Sequence, residues 1–205
     1  MAEVRVALTF DAEHPSRPHC PPGNEERLLR SLAEARARAT FFVQGRWATA
    51  HPHLAEAIAE AGHVLGNHSH YHASFPLLTP DGVRADLLQA HEAIALTTGA
   101  DARPWFRFPF GDGEDDAGLA SALASFGYRN IAWHVDPNDW DAARSPGDVE
   151  EAVVRGALAH GDGAIVLLHA WPATTAEALP RILGRLQAAG ARLVTLDELL
   201  PAEPG

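Results

Sequence analysis

The chain has 205 residues and a formal net charge of −11, and this length predicts one domain, residues 1–205, with a substantial core. The acidic charge argues against nucleic acid or an anionic membrane surface as a main partner, and no apolar run is long enough for membrane insertion. Cys20 is the single cysteine, which excludes an intrachain disulfide.

The N-terminus enters a strand pattern at Val4 without the apolar region of a secretory signal. We therefore expect a cytoplasmic protein, although an exported protein whose signal had been removed would begin in the same way. Cys20 lies between His19 and Pro21 in a proline-rich loop, where we expect an incidental thiol.

Strand-length apolar runs alternate with helix-like segments along the whole chain. The sequence predicts strands over residues 4–10, 40–43, 63–67, 105–108, 129–135, 164–168 and 191–194. Between them it predicts a helix over 24–38 with Asn24 as N-cap, a helix over 52–61, a helix that begins at Thr79-Pro80 and ends at Gly99, and a helix over 116–126. A helix capped by Ser145-Pro146 and a helix over 175–189 complete the set.

Regular alternation of strands and helices predicts an α/β fold with a parallel sheet and right-handed crossovers. Seven such units suit a single-domain parallel (β/α)7 barrel, distorted or incomplete.

Polar residues follow five of the predicted strands: Asp11, His68, Arg107, Asp136 and His169. Because the carboxyl ends of barrel strands converge on one face, where active sites are built, these residues are expected to share one cleft. This convergence indicates an enzyme.

The segment from Gly66 to His72 offers three imidazoles as metal ligands. His68 and His72 are four residues apart, so on one helical turn they would point the same way and share a zinc ion. Asp11 or Glu13 would supply the third ligand, and the other carboxylate would serve as general base. A solvated histidine-rich loop is the alternative, and the position at a strand end favours the metal site.

Other histidines and tryptophans of the sequence have less specific settings. His70 is expected to point away from the metal, and among the remaining histidines only His14 and His134 are candidates for the cleft. Trp47 and Trp105 are expected to be buried core residues.

Arg107 opens the aromatic segment Arg107-Phe108-Pro109-Phe110-Gly111. Its charge could keep Asp11 ionised by lowering the carboxyl pKa; the alternative is pairing with the acidic run at residues 112–116. Pro109 and Gly111 predict a tight turn that aims the Phe110 backbone N–H at a developing oxyanion.

His169 ends an otherwise apolar strand, as either a core residue or an acid at the barrel mouth. Asp136 could bond its ring and keep it cationic. Trp140 and Trp171 would supply flat apolar walls suited to a sugar ring, with Phe110 beside them, and ordinary burial is the alternative for both indoles.

In this order the segments resemble the five motifs of the polysaccharide deacetylases of the NodB-homology group, carbohydrate esterase family 4. The matching segments are Thr9-Phe10-Asp11, His68-Ser69-His70-Tyr71-His72, Arg107-Phe108-Pro109-Phe110-Gly111, Asp136-Pro137-Asn138-Asp139-Trp140 and Ile165-Val166-Leu167-Leu168-His169. The resemblance covers nearly the whole chain and implies a distorted (β/α)7 barrel.

The resemblance implies metal-dependent removal of acetyl from an N-acetylated, or sometimes O-acetylated, sugar, releasing acetate from a linear amide bond. It implies Asp11 as base, Arg107 as its partner, His68 and His72 as metal ligands, and His169 as acid with Asp136 as its orienter. The expected metal is Zn²⁺, with Co²⁺, Ni²⁺ or Mn²⁺ as alternatives. Chitin oligomers, peptidoglycan, acetylxylan and a small acetamido-sugar all remain open as substrates.

One departure from the family pattern concerns the metal. The family usually has two adjacent aspartates, the second a ligand, and here that place is Ala12. Glu13 is expected to take over as third ligand. Two alternatives are a cyclic-amide hydrolase of the allantoinase-like kind, with little or no metal, and a sugar-binding pseudoenzyme; the retained His68 and His72 argue against the first and intact Asp11 and His169 against the second.

Overall fold

The computed structural model describes residues 3–14 and 21–200. Cys20 and His19 lie outside the described residues.

The described part of the chain contains seven strands, which form one parallel sheet. They are β1 (Val4–Ala12), β2 (Thr40–Val43), β3 (Val64–Asn67), β4 (Trp105–Phe106), β5 (Arg129–Asn130), β6 (Ala164–His169) and β7 (Ala191–Val194). The sheet order is β5-β4-β3-β2-β1-β6, and β7 also pairs with β1. The predicted parallel α/β architecture is confirmed.

Within residues 3–14 and 21–200, eight α-helices connect or follow these strands. They are α1 (Asn24–Glu34), α2 (Gly45–Ala50), α3 (Pro52–Glu60), α4 (Pro80–Thr98), α5 (Ala117–Ser125), α6 (Pro146–His160), α7 (Ala173–Ala188) and α8 (Leu196–Leu199). Short 3₁₀ turns cover Phe75–Leu77 and Pro109–Gly111. Across the described residues no helix combines the length and apolarity needed to cross a membrane.

The two ends of the sheet approach each other beyond β5. Val135 forms an isolated parallel bridge with Val166 of β6, and the Leu167 N–H donates to the Val135 carbonyl at 2.9 Å. The sheet therefore curls into a distorted, incomplete (β/α)7 barrel, as predicted.

Strand alternation divides the side chains of β1 between two environments. Val6, Leu8, Phe10 and Ala12 belong to the main core cluster beneath the helices, whereas Asp11 faces a cleft at the carboxyl end of the strands. Because successive side chains of a strand point to opposite faces, residue 13 returns to the face of residue 11. This alternation places Glu13 in the cleft beside Asp11.

Two predicted strands are shorter than expected. Of the predicted strands at 105–108 and 129–135, only Trp105–Phe106 and Arg129–Asn130 form strands, which pair with each other, and Val135 adds an isolated bridge. Pro109 has no N–H for a ladder, and the Phe108 N–H donates to the Asn130 side chain at 3.2 Å. Beyond the two short strands, Phe108 and Trp133 line the cleft.

Helix boundaries also differ from those predicted. Helix α1 ends at Glu34 rather than at residue 38. Asn24 is not the N-cap of α1: it is the first helical residue, after Gly23, and its side-chain amide donates to the Trp171 carbonyl at 2.8 Å. Helix α2 lies in a stretch for which no helix is predicted, and it ends at Ala50. His51 leaves the helical region because it precedes a proline, and Pro52 starts α3. Trp47 and Trp105 are buried, as expected.

Candidate active site

A cleft of about 410 Å³ opens at the carboxyl ends of the strands. Its walls are Asp11, Glu13, His14, His68, His72, Phe108, Phe110, Trp133, Asp136, Trp140, Leu167, His169 and Trp171. All predicted site residues line it except Arg107, which is buried and reaches it through Asp11. The predicted convergence of side chains from several strands therefore occurs.

Asp11 is held by an ion pair that is almost completely buried. Arg107 Nη1 donates to Asp11 Oδ1 at 2.8 Å, its Nε donates to the Ile131 carbonyl at 3.1 Å, and its guanidinium lies 4.1 Å from the centre of the Phe42 ring. Burial lowers the pKa of Arg107, and the charge of Asp11 opposes this shift. Arg107 thus fixes the Asp11 carboxylate. The alternative, in which Arg107 pairs with the acidic run at 112–116, is wrong; within that run, Asp116 instead caps the N-terminus of α5.

Glu13, His68 and His72 form the cluster of the described residues that could hold a metal ion, since their ligand atoms lie within 4.8 Å of one another. Glu13 Oε2 is buried without a hydrogen-bond donor among the described residues. It lies 3.3 Å from His68 Nε2 and contacts His72 Nε2. A buried carboxylate oxygen facing two imidazole nitrogens matches the donor set of a transition-metal site.

The proton states of the cluster also suit a metal. Burial alone would raise the pKa of Glu13, but its contacts with His14, His68 and His72 hold that pKa well below the usual range. Burial lowers the pKa of His72, which favours the neutral ring. Burial would also lower the pKa of His68, but Asp11 and Glu13 raise it overall, so a metal at this ring would displace a proton.

The backbone fixes which nitrogen of His68 faces the carboxylates. His68 Nδ1 lies 3.0 Å from the Arg107 carbonyl oxygen, and a carbonyl can only accept, so Nδ1 carries the proton. His68 Nε2, 3.3 Å from Glu13 Oε2, is then the nitrogen whose proton a metal would displace. A metal-bound histidine is commonly held in this way by a hydrogen bond at its other ring nitrogen.

His68 and His72 do not lie on a helical turn, so the predicted i, i+4 geometry is wrong. Their segment is a loop after β3 in which Ser69 and His72 have positive φ angles of 64° and 57°. The Ser69 N–H donates to the Asn67 side chain at 2.8 Å, and the His72 N–H donates to Ser69 Oγ at 2.9 Å. Two left-handed residues, rather than a helix, bring the two rings together.

Asp86 of α4 anchors the outer part of this loop. Its two carboxylate oxygens accept hydrogen bonds from the backbone N–H groups of His70 and Tyr71 at 2.7 and 3.0 Å. The His70 ring packs against α2, where a Cβ added to Gly45 would lie 2.5 Å from its Nδ1. His70 therefore points away from the cluster, as expected.

His169 is oriented by Asp139, so the predicted role of Asp136 is wrong. Asp139 Oδ1 lies 2.7 Å from His169 Nδ1, and its Oδ2 accepts from the His169 N–H at 2.8 Å and from Thr175 Oγ1 at 2.5 Å. Burial alone would lower the pKa of His169, but the charge and hydrogen bond of Asp139 raise it to about 9.

Asp136 lies nearby on the cleft wall, where its side chain accepts from the Asn138 N–H at 2.7 Å. That bond forms a local turn within the Asp136-Pro137-Asn138-Asp139 segment. The turn directs the second aspartate, rather than the first, at the histidine ring. The repeated acid in the motif was the signal that could have identified Asp139.

Aromatic side chains form the rim and walls of the cleft. Phe110 is 67% exposed, and its ring stands edge-on to His72 with centroids 4.6 Å apart; its φ of 61° gives the expected tight turn. Trp140 is 52% exposed at the mouth, whereas Trp171 is buried and donates through Nε1 to Glu13 Oε1 at 3.2 Å. The two predicted sugar-binding tryptophans thus have different surroundings.

His14 and Trp133 complete the cleft. Of the two further histidines that the sequence offers for the cleft, His14 lines it. His134 does not line it and instead stacks on His160, with ring centroids 4.0 Å apart. Trp133 was not predicted, and lies 5.6 Å from the Arg107 guanidinium.

Comparison with known proteins finds matches from one protein family. The family model described as polysaccharide deacetylase matches residues 1–131. The chain is 35% identical over 198 residues to the peptidoglycan-N-acetylglucosamine deacetylase PgdA of Listeria monocytogenes, covering 95% of this chain and 38% of the relative, so it spans less than half of that protein.

Two further proteins match over nearly the whole chain. The chitooligosaccharide deacetylase of Rhizobium leguminosarum bv. trifolii is 32% identical over 199 residues, which cover 97% of this chain and 84% of the relative. A family 4 carbohydrate esterase pseudoenzyme from Bacillus anthracis is similar in structure, with a TM-score of 0.85, 28% identity and coverage of 97% and 66%. The family model, the sequence identity and the structural likeness point to the same family, and the chain belongs to the polysaccharide deacetylases.

Proposed function

We propose that this chain is a metal-dependent hydrolase that removes the acetyl group from an N-acetylated sugar unit of a glycan. The observation that carries the proposal is a carboxylate and a cationic imidazole beside the Glu13–His68–His72 cluster: Asp11 Oδ2 lies 3.5 Å from His68 Nε2, and His169 Nε2 lies 4.0 Å from Glu13 Oε1. Asp11 and His169 are register partners on β1 and β6, so neighbouring strands deliver a base and an acid to one cleft.

We assign Glu13, His68 and His72 to a divalent metal, with Zn²⁺ first and Co²⁺, Ni²⁺ or Mn²⁺ as alternatives, because two imidazoles and one carboxylate suit these ions. Such an ion would lower the pKa of a coordinated water and polarise the acetamide carbonyl. Arg107 keeps Asp11 Oδ1 occupied, so Oδ2 is the oxygen available for proton transfer.

Asp11 is assigned the role of general base. Its Oδ2 lies 3.5 Å from His68 Nε2, at the edge of the metal cluster. Asp11 Oδ2 accepts a proton from the attacking water as the water oxygen forms a bond to the carbonyl carbon of the acetamide. The carbonyl oxygen then carries negative charge, and the backbone N–H of Phe110, in its left-handed turn, is assigned to stabilise that charge.

His169 is assigned the role of general acid. The breaking C–N bond needs a proton on nitrogen, because an amide nitrogen does not leave as an anion. Asp139 bonds His169 Nδ1, which leaves the Nε2 proton for donation into the cleft. The products are acetate and the free amine of the sugar.

Phe110 and Trp140 are assigned to the sugar. Both are exposed at the rim, and aromatic faces offer apolar surfaces with a defined orientation to a ring. The cleft walls carry no lysine or arginine among the described residues, so a neutral acetamido sugar suits them.

The proposal is tested by incubating the zinc-loaded protein with chitooligosaccharides, peptidoglycan, acetylxylan and a cyclic amide. We expect acetate and a new primary amine in equal amounts from an N-acetylated glycan, lost on removal of the metal with a chelator and restored by zinc. Asp11→Asn is expected to abolish the release.

Two results would overturn the proposal. Hydrolysis of the cyclic amide alone, unaffected by chelator, would indicate the allantoinase-like activity. Binding of the glycan without acetate release at any metal concentration would make the chain a sugar-binding pseudoenzyme.

A further inference from the structure

The two carboxylate oxygens of Glu13 lie in different environments. Oε2 faces the imidazoles of the metal cluster, 3.3 Å from His68 Nε2. Oε1 is 2.7 Å from His14 Nε2 and accepts from Trp171 Nε1 at 3.2 Å. One oxygen is therefore held by ring N–H groups and the other is directed at the cluster.

His14 is itself anchored by its backbone. Its N–H donates to Gln44 Oε1 at 3.0 Å, its φ is 60°, and Gln44 is 3% exposed. The Gln44 N–H in turn donates to the Ala12 carbonyl at 2.9 Å. The chain thus turns sharply after Glu13 and carries the imidazole of residue 14 back to the carboxylate of residue 13.

Trp171 is anchored from the opposite side of the cleft. Its carbonyl accepts from the Asn24 side chain at 2.8 Å, and Asn24 is fully buried. The His14 and Trp171 rings contact each other edge-on, with centroids 6.1 Å apart. The two N–H groups consequently approach Oε1 from a fixed and mutually supported frame.

We propose that His14 and Trp171 are positioning residues that hold Oε1 of Glu13 and so present Oε2 to the divalent metal; the proposal rests on the metal site of the proposed function. A glutamate side chain has one more rotatable bond than an aspartate, and ordering it costs conformational entropy. Hydrogen bonds to a ligating carboxylate lower that cost, and their loss typically weakens metal binding 10- to 100-fold.

The test measures zinc affinity by competition with a chromophoric chelator, together with thermal unfolding of the metal-free proteins. The variants are His14→Ala, His14→Gln and Trp171→Phe. We expect His14→Ala and Trp171→Phe each to raise the zinc Kd roughly 10- to 100-fold, with little change in metal-free unfolding temperature. His14→Gln should recover much of the affinity, because its amide N–H can replace Nε2–H. His53→Gln, at a histidine whose side chain is 96% exposed, is the matched control and should bind zinc like the parent.

Several outcomes would overturn the proposal. One is a parental Kd in both His14→Ala and Trp171→Phe. Another is equal weakening in His14→Gln and His14→Ala with lower metal-free stability, which would show a merely structural role. If Trp171→Phe fails to fold, the two His14 variants decide alone.

The double variant His68→Ala/His72→Ala separates this inference from the proposed function. If it retains stoichiometric zinc, the metal site itself is wrong, and the positioning role is wrong with it. If it loses zinc while His14→Ala binds zinc like the parent, only the positioning role is wrong.

Discussion

His169 and Asp139 are joined through both the ring and the backbone of the histidine. Asp139 Oδ1 lies 2.7 Å from His169 Nδ1, and Oδ2 accepts the His169 N–H at 2.8 Å. Because Asp139 is 1% exposed, solvent screens this pair little, and the carboxylate raises the pKa of His169 to about 9. The imidazole is therefore cationic at neutral pH and able to donate a proton.

Replacement of Asp139 should move the alkaline limb of the activity profile. The pKa of His169 is raised to about 9, so the acid form is present below that pH and is lost as pH rises through it. In Asp139→Asn the limb in kcat is expected at lower pH, with kcat also reduced. In Asp136→Asn the position of the limb should not change. The pH profiles of both variants check this, and a shift in Asp136→Asn alone would assign the orienting role to Asp136.

Loss of His169 should harm amide substrates more than esters. In His169→Ala no imidazolium protonates the leaving nitrogen, whereas an alkoxide leaves more readily without help. Relative kcat values on an acetamide and an acetate ester of comparable binding are the measurement. Equal losses on the two substrates would remove His169 from the general-acid role.

Restoring an aspartate at residue 12 should destabilise the protein rather than improve metal binding. Ala12 is fully buried in the main core cluster, on the face of β1 opposite to Asp11. An unpaired carboxylate there should lower the free energy of unfolding by about 3 kcal/mol or more. Urea unfolding of Ala12→Asp is the measurement, with Ala12→Ser as a neutral control expected to lose less. Tighter zinc binding at parental stability would show that residue 12 can reach the metal.

Much of the fold followed from local patterns in the sequence. Caps such as Thr79 and Ser145 start helices through their side chains, and the apolar run of β6 is buried as a central strand should be. The ends of β4 and β5 could not be predicted in this way. They depend on the Phe108–Asn130 hydrogen bond and on the bridge between Val135 and Val166, which are long-range contacts.

The sequence predicts which residues form the site better than it predicts how those residues contact one another. Strand ends identified Asp11, His68 and His169, and the period of two along β1 could have placed Glu13 beside Asp11. The loop from His68 to His72 could not be predicted, because no local sequence feature indicates that Ser69 and His72 adopt the left-handed backbone conformation. Asp139 was missed in favour of Asp136 because a tight turn, rather than a sequence period, decides which carboxylate reaches the ring.

His63 should make stability depend on pH independently of catalysis. It is 8% exposed and accepts the Ala39 N–H through Nδ1 at 3.1 Å. Burial, followed by the charge of Arg38, lowers its pKa from 6.5 to about 4. Between pH 6.5 and pH 4, His63 is therefore protonated in the unfolded chain but not in the folded chain. The contribution of His63 to the free energy of unfolding is complete above pH 6.5 and is lost as the pH falls toward 4.

The loss from this one group should approach about 3 kcal/mol, at about 1.4 kcal/mol per pH unit. Urea unfolding with chelator present, at pH 7.5 and 4.5, measures the effect. His63→Asn keeps an acceptor near Nδ1 but does not titrate, so its stability should fall less over this range. Parallel losses in the parent and in His63→Asn would contradict this assignment.

The most direct test of the account is the metal content of Asp11→Asn and Glu13→Gln, measured beside their acetate release. Asp11 pairs with Arg107, whereas Glu13 faces both histidines of the cluster. Asp11→Asn is therefore predicted to retain one zinc per chain and lose acetate release. Glu13→Gln is predicted to lose zinc after dialysis and to regain part of its activity in excess zinc. Loss of zinc from Asp11→Asn, with zinc retained in Glu13→Gln, would contradict the division of base and metal ligand between these two carboxylates.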